Sequence, residues 1–99
     1  MLYRHSRAIR RAASDGSFQA LDRPTLVTAF TVNAVNADCI VNLRDGGATG
    51  PIYWTLEADN AASSAVQTFD IPLKFFNKVY MEFVVSGTQS SASIAVVEP

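Results

Sequence analysis

The 99-residue sequence is poor in the side chains on which chemistry usually rests, with one cysteine and one histidine. A single cysteine, Cys39, excludes an internal disulfide, the usual staple of small secreted domains. It is expected to be a buried small apolar residue, because no basic residue beside it favours a thiolate. One Cys and one His do not complete a zinc site, and a nucleophile activated by histidine would have to draw on His5, near the start of the sequence. No stretch approaches the ~20 apolar residues of a membrane span. No apolar run of roughly 7–15 residues follows the first arginines, so a signal peptide is not expected either. These shortages point to a soluble protein made in the cytoplasm that is not an enzyme and has no cofactor.

Charge is also scarce, at 17% of residues, and it is unevenly placed. Arg4, Arg7, Arg10 and Arg11 are four of the eight basic residues, and no acid precedes Asp15. The rest of the chain holds four bases against nine acids. A basic segment joined to an acidic body bears on association rather than on fold.

What the sequence has in quantity is alternation. From Pro24 onward apolar residues recur with a period of two, the signature of half-buried strands. Leu26, Thr28, Phe30 and Val32 share one side of a first strand, and Ala37, Cys39, Val41 and Leu43 one side of a second. Ile52, Trp54 and Leu56 form the inner face of a third, with Trp54 a core residue. A fourth runs from Val66 to Ile71, with Gln67, Phe69 and Ile71 inward. Val79, Met81, Phe83 and Val85 mark a fifth strand, and Ala92, Ile94 and Val96 a sixth. The connections carry turn chemistry, as at Asp45-Gly46-Gly47, Gly50-Pro51, Asp59-Asn60 and Ser86-Gly87, and are too short for crossover helices, so the strands are antiparallel. The expected fold is all-β: a small antiparallel β-sandwich or flattened barrel of about six strands, jelly-roll or immunoglobulin-like. Residues 1–24 are expected to be a basic N-terminal arm and linker, with Leu2 to Ala13 either a short helix or irregular, and residues 25–99 the β-sandwich domain.

The acids fall at strand ends and turns, where Asp38, Asp45, Asp59 and Asp70 serve their own backbone. Glu57, Asp59 and Asn60 cluster as calcium ligands do, but the spacing of a dedicated calcium loop is missing, so no metal site is expected. Arg4, Arg7, Arg10 and Arg11 are the candidate partner-binding residues. They suit nucleic-acid phosphates, with Tyr3 to stack on a base, or carboxylates of an adjacent subunit. The second is favoured because the basic character stops at the arm. Tyr3, Ile9, Phe75 and Phe76 are candidate interface anchors, and of the adjacent Phe75 and Phe76 one is expected to be exposed.

The run Ile52-Tyr53-Trp54-Thr55-Leu56-Glu57-Ala58, the segment Val66-Gln67-Thr68-Phe69-Asp70-Ile71-Pro72-Leu73, the strand Val79-Tyr80-Met81-Glu82-Phe83-Val84-Val85-Ser86-Gly87 and the closing Ala92-Ser93-Ile94-Ala95-Val96-Val97 together resemble small β-sandwich proteins encoded among the structural genes of tailed bacteriophages. The resemblance covers about half the chain, from Ile52 to Val97. It implies a virion protein, above all a capsid decoration or cement protein that binds the major capsid protein or other virion subunits, commonly as a homo-oligomer. A head-tail junction, tail or fibre-associated component is the alternative within that class. A nucleic-acid-binding module using the arginines is the alternative outside it. Virion localisation, without membrane association, follows from the same resemblance.

Overall fold

A computed structural model describes residues 6–60, 64–87 and 89–97. Eight strands occur in it: β1 (Ser6–Ala12), β2 (Phe18–Leu21), β3 (Thr25–Asn33), β4 (Cys39–Asp45), β5 (Ile52–Ala58), β6 (Ser64–Phe75), β7 (Val79–Val85) and β8 (Ser91–Val97), with a 3-10 turn at Ala13–Asp15. All pairings are antiparallel, and the strands form two four-stranded sheets in the orders β1-β8-β3-β6 and β2-β7-β4-β5. Two sheets wound in that order, with connections passing repeatedly from one to the other, are a jelly roll. The all-β sandwich expected from alternation is therefore present, and the strand order decides between its jelly-roll and immunoglobulin-like forms.

The core lies between the sheets. Val27, Phe30, Val32, Ile94, Ala92 and Val96 from the first sheet meet Cys39, Val41, Leu43, Val79 and Met81 from the second, all fully or almost fully buried. In β4, β7 and β8 the alternation predicts the inward residues correctly from Cys39 to Leu43, at Val79 and Met81, and from Ala92 to Val96. Elsewhere bulges change the phase. Thr28 is an extra residue in β3, so the inward set is Thr25 and Val27 before it and Phe30 and Val32 after it, not Leu26, Thr28, Phe30 and Val32. Tyr53 is extra in β5, because Leu43 pairs with Trp54 and Arg44 with Ile52. Ile52 consequently faces solvent rather than the core. In β6 the residues Phe69, Asp70, Ile71 and Pro72 stand against Thr28 alone, which throws Ile71 outward to 87% exposure. Val85, at the end of β7, is also exposed.

The first 24 residues differ most from expectation. Residues 6–12 form neither a helix nor a loose arm: they pair with the whole length of β8, from Ser6 opposite Val97 to Ala12 opposite Ser91. Residues 18–21 pair with β7 in the other sheet. β1 has too few apolar residues, and β2 with four residues is too short, for alternation to be legible in the sequence. In β1 only Ile9 is large and apolar, and it packs against the core.

Asp45 ends β4 and is 4% exposed. Its Oδ1 accepts the backbone N–H groups of Asn77 and Lys78, and its Oδ2 that of Phe76, each at 3.0 Å. The Tyr53 hydroxyl also donates to Oδ2 at 3.0 Å. One carboxylate thus supports the turn by which the chain passes from β6 in the first sheet to β7 in the second. Beside it, Gly46 and Gly47 take positive φ angles of 100° and 120°, the region glycine enters without steric cost. Gly50 is needed for another reason, since a Cβ there would lie 1.9 Å from the Asp45 carbonyl oxygen.

Burial acts to raise the Asp45 pKa, but the hydrogen bonds from Lys78, Phe76, Asn77 and Tyr53 outweigh it and hold the carboxyl below its ordinary value. A carboxylate with a lowered native pKa contributes stability that is complete above about pH 4 and is lost as pH falls through the native value. Asp45→Ala, which strands three turn N–H groups, is expected to cost about 3–5 kcal/mol in urea unfolding at pH 7. Asp45→Asn should also flatten the fall in stability below about pH 4; wild-type steepness retained in that variant would show that the carboxylate does not carry it.

Candidate interaction surfaces

Polar side chains gather on the outer face of the second sheet. Thr55 Oγ1 donates to Asn42 Oδ1 at 2.6 Å, Asn42 Nδ2 to Glu82 Oε1 at 2.9 Å, and Arg44 Nε to the same Glu82 oxygen at 3.0 Å. Arg44 Nη1 donates onward to the Gly50 carbonyl at 2.7 Å. Asn42 is 7% exposed although it points away from the core, because its neighbours on β5 and β7 close over it. The Asn42 hydrogen bond, then Arg44, lower the Glu82 pKa against the opposing effect of burial. Each group in this ladder is spoken for by another, so it braces three strands and offers no idle acid or base to a substrate.

Cys39 is fully buried, and burial raises its thiol pKa despite a hydrogen bond with Ser90. It behaves as the small core residue its surroundings predict. Asp38 accepts the Asn60 N–H at 2.8 Å, so like Asp45 it braces a segment distant in the chain and not, as expected, its own backbone. Among the described residues no group of three His, Cys, Asp or Glu side chains is placed to hold a metal ion, and no helix is long and apolar enough to cross a membrane.

The candidate partner-binding arginines take separate places. Tyr3 and Arg4, like His5, lie outside the described residues. Arg7 and Arg10 are exposed on β1, with Arg10 on the outer face opposite Ser93. Arg11 is turned inward and half-buried. Its Nε donates to the Gly16 carbonyl at 3.0 Å and its Nη2 to that of Asp15, while the guanidinium carbon stands 4.5 Å over the centre of the Phe18 ring. It fastens the β1–β2 connection, which corrects its expected role as a free partner-binding group. Ile9 is likewise part of the packing rather than an exposed anchor.

Phe75 and Phe76 divide as expected of neighbours. Phe75 is fully buried and so is not an interface anchor; Phe76 is 59% exposed, with Lys74 Nζ 5.2 Å from its ring centre. Phe76 belongs to a surface that alternation alone did not reveal, the flank where edge strands β5 and β6 lie side by side. Tyr53 and Phe75 stack with ring centres 5.1 Å apart, and Trp54 meets Phe69 edge-on at 5.0 Å. The Tyr53–Phe75 contact brings the exposed Ile52 and Phe76 to one end of the flank, Ile71 is exposed at the 69–72 kink, and Val66 is exposed on the straight part of β6. The sequence signals for Ile52 and Ile71 were the bulge at Tyr53 and the proline after Ile71, neither readable without knowing the pairing partner. Large apolar side chains gathered on a polar-rimmed flank are what a protein partner covers.

Comparison of the chain with protein-family models, with curated proteins and with solved structures finds no match.

Because Cys39 is enclosed by the core, thiol reagents should reach it only when the sandwich opens. Labelling of the folded protein is expected to be at least about 100-fold slower than labelling in denaturant, followed by absorbance of the released thiolate. Comparable rates in the two conditions would place the thiol at the surface.

Proposed function

We propose that this chain is a structural protein of a phage virion, a capsid decoration or cement protein that binds and stabilises coat subunits. The observation that carries the reading is the exposure of Ile52, Ile71 and Phe76 along the β5–β6 flank, 47%, 87% and 59%. Such side chains are kept in water at a cost of about 1.5–3 kcal/mol each relative to a covered site, and covering them is the contribution a docking partner makes. A rigid sandwich with a braced outer face suits a protein whose work is mechanical. The fold carries no function in itself, and the resemblance of the Ile52–Val97 strands to tailed-phage β-sandwich proteins supplies the class of partner.

In this reading the sandwich itself makes the contact, with the Ile52–Ile71–Phe76 end seated on a coat subunit and Arg10 exposed at the opposite edge of the first sheet. Arg11 is reserved for internal fastening. Nucleic acid is the less favoured partner, since the exposed arginines share the surface with an acidic body rather than with a continuous basic patch.

The test uses particles of the phage that carries the gene. Wild-type protein is expected to co-sediment with purified capsids at a fixed copy number. Ile71→Asp with Phe76→Ser, at two exposed positions, should leave the melting temperature within a few degrees while lowering capsid affinity about 10–100-fold. Capsids that bind the variant as tightly as wild type, or that never carry the protein, would remove the reading.

A further inference from the structure

The first sheet ends in two strands, β1 on one side and β6 on the other, each paired along one edge only among the described residues. Four antiparallel strands alternate in direction, so β1 and β6 run opposite ways. A second copy set beside the first in the same orientation therefore offers its β1 antiparallel to β6, and the sheet continues without any strand reversing its sense. Unpaired backbone at a sheet edge is a template for such addition.

The two edges are guarded unequally. The 69–72 kink and Pro72 protect the second half of β6, but the run from Ser64 to Thr68 pairs evenly with β3 and has neither proline nor charge. β1 has no proline, glycine or bulge, and its only guards are arginines. Charge then selects the partner. β1 exposes Arg10 and has no acid, Arg11 being engaged internally, whereas the β5–β6 flank exposes Glu57 and Asp70 against Lys74. A two-fold pairing of β1 with β1 would set arginine against arginine. Pairing β1 with the β6 edge sets arginine against carboxylate.

We infer that copies of this chain associate head to tail, β1 of one adding antiparallel to the Ser64–Thr68 run of β6 in the next, which brings the exposed Arg10 to the acidic flank. Val66 is covered in the process, and the Ile52–Ile71–Phe76 end stays free. The interface is heterologous, so it builds a ring where the rotation closes and a filament where it does not. The inference stands on edge geometry and charge and does not rest on the virion reading.

The test is sedimentation of the purified full chain and of two variants at exposed positions, Arg10→Glu and the double variant Val66→Lys with Asp70→Arg, each first checked for a wild-type circular dichroism spectrum and melting temperature. Wild type should form multimers at low salt, with the association constant falling more than about tenfold between ~0.05 and ~0.5 M salt. Each variant alone should associate at least about tenfold more weakly. Mixed together they should associate again, because the intact β1 edge of one meets the intact β6 edge of the other and the two reversed edges are themselves of opposite charge. A two-fold interface through either edge alone would leave one of the two variants associating like wild type. Wild type that stays monomeric at ~0.1 mM in low salt, variants that assemble like wild type, or a mixture that stays monomeric would each overturn the pairing. Monomeric protein that still occupies capsids would sink this inference alone; multimers that ignore capsids would sink the virion reading alone.

Discussion

The Asp45 carboxylate gathers one end of the second sheet together with the turn that reaches it from the first. It sits at the end of β4, receives three consecutive N–H groups from the turn between β6 and β7, and takes the Tyr53 hydroxyl from β5. That turn carries the chain from one sheet to the other, so the carboxylate sets how the sheets meet at this end of the sandwich. A buried charge is tolerated only when its lone pairs are filled, and here four donors fill them. The surroundings follow from it. Tyr53, held by its hydroxyl, lies against Phe75, and the chain direction that gives the Phe76 N–H to Asp45 turns the Phe76 ring to solvent. Exposure of Phe76 is thus a by-product of satisfying Asp45.

The apolar end of the β5–β6 flank has a related origin. A regular strand with the same residues would bury Ile52 and Ile71; the extra residue at Tyr53 and the 69–72 kink turn them outward. Bulges at sheet edges re-aim side chains and interrupt pairing, and both consequences are visible here. The kink blocks strand addition over half of β6 and at the same time presents Ile71. The interaction surface and the protection of the edge are made by one irregularity.

The opposite edge of the first sheet has a different character. β1 adds little to the core beyond Ile9, and it is held by its ladder to β8 and by Arg11 clasping the following turn over Phe18. Its arginines keep a regular edge strand soluble while leaving it open to an acidic partner. The molecule therefore has unlike ends, a basic edge and an acidic, partly apolar flank, separated by the two sheet faces. Such polarity favours directional assembly over pairing by symmetry.

Alternation in the amino-acid order was sufficient to establish an all-β sandwich, the inward faces of β4, β7 and β8, the buried state of Cys39 and the division of labour between neighbouring phenylalanines. Those are properties of a residue and its immediate neighbours, because side chains on a strand must alternate. The strands β1 and β2, the outward turn of Ile52 and Ile71, and the inward turn of Arg11 were settled by three-dimensional pairing. Ser6–Ala12 is a strand because β8 lies beside it, not because its own residues favour one. A bulge is defined by the register of two strands, and a single strand carries no record of its partner. The jelly-roll order has the same origin: local pattern makes strands, and the packing of one sheet on the other selects which strands become neighbours.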